Sequence, residues 1–145
     1  MRIFVAGPWG DYNPNIPSWI VSANIAKADW VGQQLVHLGH DVYIPHTMCA
    51  TWSGKFSRPK MAHLDDSFLL HWAEAFFMIP GESTGAIKEL AVAADAELIL
   101  FVEKDVLIDE YMAPRQVDCI NYKEVWNLLA HLIEMDKYAS NRLQG

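Results

Sequence analysis

The sequence predicts an α/β fold in which a parallel sheet is covered by helices on both faces, and three observations predict it. Short apolar runs rich in β-forming residues recur along the chain, and most stop at Gly or Pro. Segments with apolar residues at helical spacing alternate with them. The apolar runs are continuous rather than alternating, as in strands buried on both faces.

Residues 3–6 form the first run and stop at Gly7-Pro8. The loop 7–18 holds Gly, Pro, Asp and Asn with little periodicity. From 19 to 38 a helix is expected, with Ile20, Ala23, Ala28, Val31, Leu35 and Leu38 on its apolar face and Gly39 as its stop. Residues 41–45 read as a second strand ended by proline, and 46–59 as an irregular, substrate-covering loop. A helix over 60–72, a strand over 75–79, a helix over 83–96 and a strand over 98–102 follow. A fifth strand is expected at 117–120 and an amphipathic helix over 123–138. The 145 residues suit one domain, with no repeat and no low-complexity tract.

Composition narrows the partners. A net charge of −7 argues against a nucleic-acid polymer or an anionic membrane surface, though not against one small anion in a local pocket. Cys49 and Cys119 form no CxxC pair, which fits a reduced, cytoplasmic protein. No apolar run approaches the ~20 residues that span a bilayer, and the opening run is too short for a signal peptide. The six histidines show no zinc spacing, and neither GxGxxG nor a P-loop is present, so neither metal nor organic cofactor is expected.

In a sheet of this kind, ligands bind at the carboxyl ends of the strands. The segment from Pro80 to Glu89 is the strongest local feature there. A strand ends, glycine turns the chain, and Ser83-Thr84-Gly85 opens a helix whose N–H groups suit an anion. The same residues equally suit an N-cap with no ligand. Glu89 lies roughly 9 Å further along that helix, among apolar neighbours that would desolvate a nucleophile or general base. A solvated helix carboxylate is the alternative. Asp65 and Asp66 precede the third strand, and glycoside chemistry usually needs a second carboxyl group to handle the leaving group's proton.

Three pieces together resemble the nucleoside 2-deoxyribosyltransferase superfamily: Ile3-Phe4-Val5-Ala6-Gly7-Pro8; Leu64-Asp65-Asp66 with the run from Ala73 to Gly81; and Ser83-x-Gly85-x-x-x-Glu89. The resemblance spans most of residues 1–102 and implies a single Rossmann-like (flavodoxin-like) domain. It implies that Glu89 attacks C1′ and that Asp66, or Asp65 one position away, assists the base. It also implies that Phe4, Gly7, Pro8 and Trp9 line the sugar and base pocket, and that the chain is a homodimer or larger homo-oligomer. Two departures refine the substrate. Ser83 stands where nucleoside-using members carry an aspartate for the 5′-hydroxyl, and a serine at a helix N-terminus suits a 5′-phosphate instead. Phe4 stands where many members have tyrosine, which points to a ribonucleotide bearing a 2′-OH. The expected reaction is hydrolysis of the N-glycosidic bond of a nucleoside 5′-monophosphate, with Ser83 and Gly85 on the phosphate. The alternatives are a deoxyribosyltransferase exchanging bases and a non-catalytic nucleotide-binding module.

Overall fold

A computed structural model of the chain describes residues 1–10, 13–48, 52, 54–79, 81 and 83–102. Within them four strands alternate with helices: β1 (Arg2–Ala6), α1 (Ser18–His37), β2 (Asp41–Tyr43), α2 (Pro45–Met48), α3 (Arg58–His71), β3 (Ala75–Met78), α4 (Thr84–Asp95) and β4 (Ile99–Phe101). All strand pairings are parallel, in the order β2-β1-β3-β4. This is the expected α/β, Rossmann-like architecture. The fifth strand and the final helix expected from the sequence lie outside the described residues.

The alternation of side chains along each strand builds two cores, one on each face of the sheet. Ile3 and Val5 of β1 join Ala75 and Phe77 of β3 against Ala28, Val31 and Leu35 of α1. Phe4 and Ala6 join Phe76 and Met78 against Leu69 of α3 and Ala86, Leu90 and Ala93 of α4. Both faces of β1 and β3 are thus dry, which explains why their sequences are apolar throughout. At roughly 1.5–3 kcal/mol for each large apolar side chain fully buried, these central strands carry much of the folding free energy.

Helix α1 ends as expected at Gly39. His40 N–H donates to Leu35 O at 3.1 Å and Gly39 N–H to Val36 O at 2.9 Å, with Gly39 at φ +90°. This pair of bonds satisfies two carbonyls at the helix end, and glycine adopts the left-handed conformation without a Cβ penalty.

The expectation of an irregular stretch from residue 46 is corrected. Pro45 does not close a strand; it opens α2, where a fixed φ and a missing N–H suit the first helical position. Thr47 and Met48 N–H both donate to Ile44 O at 3.1 Å, and His46 is buried. Helix α3 likewise begins at Arg58, two residues before the expected start, because Ser57 caps it by accepting from Lys60 N–H at 3.3 Å.

Candidate active site

Chain order reverses direction across the sheet between β1 and β3, which places a topological switch point at their carboxyl ends. Ile79 N–H still donates to Ala6 O at 2.8 Å, after which the two strands part into loops that remain in contact. A Cβ on Gly7 would lie 2.8 Å from Ile79 Cβ, and one on Gly81 would lie 2.5 Å from Pro8 Cγ. Gly81 is also at φ +136°, so no other residue lets the β3 loop turn this close to Pro8.

Trp9 is held in place from two sides. Its ring stacks on His46 at 5.4 Å between centroids, and its carbonyl accepts from Asn24 Nδ2 of α1 at 3.1 Å. His46 Nε2 is in turn 2.9 Å from Pro8 O. Trp9 Nε1 is buried with no hydrogen-bond partner among the described residues. An indole N–H normally finds an acceptor when it leaves water, so an orphaned one beside a strand-end loop suits a ligand acceptor. His46 and Asn24 went unrecognised in the sequence because they act through the fold, from α2 and α1.

At the start of α4, Ser83 Oγ accepts from Ala86 N–H at 3.1 Å and Ser83 O accepts from Ile87 N–H at 3.2 Å. The cap reading of Ser83 is therefore realised. Its hydroxyl proton and the Thr84 and Gly85 N–H groups are the donors that remain outside the cap. Among the described residues, the one atom within 4 Å of a Cβ at Gly85 is Ser83 Oγ at 3.9 Å.

The carboxyl residues lie on the paired helices α3 and α4. Helices α3 and α4 pack side by side, and Asp65 and Asp66 both act electrostatically on Glu89. Glu89 as a residue keeps some solvent contact, yet its Oε2 is sealed from water and has no hydrogen-bond partner among the described residues. Burial first, then the charges of Asp65 and Asp66, push its pKa well above the ordinary glutamate value. Asp65 is half-buried and accepts from the Tyr43 hydroxyl at 3.1 Å. Burial raises its pKa to about 6, against the lowering effect of that hydrogen bond, with Asp66 adding to the rise. Among the described residues, no three His, Cys, Asp or Glu side chains are grouped so as to hold a metal ion.

Phe4 sits one ring away from this cluster. It is wholly buried, 5.3 Å from the Tyr43 ring and 6.0 Å from that of Phe76. Its ring is thus part of the packed floor, with no open surface of its own. Apart from Phe4 in β1, the residues singled out in the sequence fall into two groups: Gly7, Pro8 and Trp9 after β1 with Ser83 and Gly85 at the start of α4, and Asp65, Asp66 and Glu89 along the paired helices α3 and α4.

No protein-family model matches the chain, and no curated protein matches it. Among the described residues no helix is long and apolar enough to cross a membrane.

Proposed function

We propose that the chain hydrolyses the N-glycosidic bond of a nucleoside 5′-monophosphate, with Glu89 as nucleophile and Asp66 as the assisting acid. The observation that carries this reading is Glu89 Oε2, a buried side-chain oxygen without a partner among the described residues, on which the charges of Asp65 and Asp66 also act. Leaving such a group unsatisfied costs about 1–3 kcal/mol or more. Clusters of this kind concentrate at functional sites.

The chemistry uses the carboxyls in different protonation states. Ionised Glu89 attacks C1′, the bond from C1′ to the base nitrogen breaks, and the departing base takes a proton from the aspartate side of the cluster. Water then cleaves the glycosyl ester, and the aspartate receives the proton that water gives up. Neighbouring carboxyls that repel one another cannot all ionise together, so one group keeps a proton while another is charged. The start of α4 supports the phosphate end of the substrate, with the Thr84 and Gly85 N–H groups and the Ser83 hydroxyl as donors. Trp9, fixed by His46 and Asn24, suits the base or sugar face. Cytoplasmic action and a homodimer or larger homo-oligomer belong to the same proposal.

The test is to incubate the protein with a panel of nucleosides and nucleoside 5′-monophosphates, with and without a second free base, and to measure base release. Release from a monophosphate without an acceptor base supports hydrolysis. Release that requires the second base supports the transferase alternative, and no release from any substrate overturns both.

A further inference from the structure

Phe4 of β1 lies directly opposite Tyr43 of β2 in the parallel register, with the two rings 5.3 Å apart. Phe4 carries no hydroxyl, whereas Tyr43 does and directs it to Asp65 Oδ1 at 3.1 Å. The Tyr43 ring is fixed on its other side by Phe68 of α3, stacked at 3.8 Å and 12°. Phe68 stands on the same helix as Asp65, so ring and hydroxyl grip α3 at two points one turn apart. Asp65 acts on Glu89 more strongly than Asp66 does.

We infer that Tyr43 is a positioning residue of this site, its hydroxyl holding the Asp65 carboxyl in a fixed place on α3, the helix that packs against α4 and Glu89. This deepens the proposed function and rests on it. Tyr43 touches no reacting atom; it acts through Asp65. The hydroxyl donates to the ionised form of Asp65 and so favours the charged carboxylate there, against the burial that disfavours it. The groups that face the pair are Asp66 on α3 and Tyr43 on β2. The remaining titratable side chains on the packed elements are exposed: Arg58, Lys60, His63 and His71 on α3, Lys88 and Asp95 on α4, and Asp41 on β2.

The test uses Tyr43→Phe in the full chain, a change that keeps the ring between Phe4 and Phe68. The carboxyl titration of Asp65, followed by carbon NMR, should move upward from about 6, by roughly 0.5–1 unit for the loss of one hydrogen bond. The acidic limb of kcat/KM for base release should move with it, while the plateau above it changes less than about threefold. In an Asp65→Asn background, Tyr43→Phe should leave the limb in place, because the group through which it acts is gone. An unmoved Asp65 titration, or a limb shifted equally in both backgrounds, overturns the inference. A wild type inert toward every substrate overturns the proposed reaction instead, and the NMR titration still decides whether Tyr43 governs the carboxyl pair.

Discussion

Glu89 binds its proton more tightly in the folded chain than in the unfolded one, because folding buries it beside Asp65 and Asp66. Between the ordinary glutamate range and its raised folded value, the native state therefore holds more protons than the unfolded state. Stability contributed at low pH is lost as pH rises through that window. Glu89→Gln removes the titration with almost no change of shape. The variant should be more stable than wild type at pH 8, because the neutral amide avoids burying a charge beside Asp65 and Asp66. The gap should close toward pH 4, and urea unfolding at several pH values measures it. A variant less stable than wild type at pH 8 would mean that the carboxylate serves the fold. The acidity of Glu89 was legible in part: Ala86, Ile87, Leu90 and Ala91 around it announced an apolar setting. Its second cause was not, since the aspartates lie more than twenty positions away and come near only when α3 and α4 pack. Tyr43 was hidden for the same reason, as its partner is chosen by strand register and helix placement.

At the scale of elements, the proposed function assigns the choice between a phosphorylated and an unphosphorylated substrate to the N-terminus of α4. Ser83→Asp keeps a capping oxygen for Ala86 N–H but sets a negative charge where the phosphate would lie. Nucleotide cleavage should fall by about 10- to 150-fold, the equivalent of one charge-assisted hydrogen bond of roughly 1.5–3 kcal/mol, while nucleoside cleavage is spared. The ratio of kcat/KM for a 5′-monophosphate and its nucleoside reads this directly. Equal loss on both substrates would remove Ser83 from the phosphate site. Elements with strong local signals were readable from sequence: β1 and β3 from their apolar runs, α1 from its spacing and Gly39, α4 from Ser83. Helix α2 was not, because Pro45 can end a strand or open a helix. The bonds from Thr47 and Met48 to Ile44 O resolve that ambiguity only in the folded chain.

For the whole molecule, the order β2-β1-β3-β4 sets the loops after β1 and β3 side by side, with the paired helices α3 and α4 covering the face that holds the carboxyls. The fold class could be read from the sequence because alternation of strands and helices is a local pattern repeated along the chain. The site could be read only as separate pieces, since the joining contacts run between Trp9 and His46, Gly81 and Pro8, and Tyr43 and Asp65. The central claim is that these pieces make one catalytic centre with Glu89 as nucleophile. It is tested most directly by the rate of base release from the best 5′-monophosphate, compared between wild type and Glu89→Gln with the folded state of both verified. The account predicts a fall of about 100-fold or more, at least ~2.7 kcal/mol of lost transition-state stabilisation. Retention of more than about a tenth of the wild-type rate, a loss below ~1.4 kcal/mol, would contradict it.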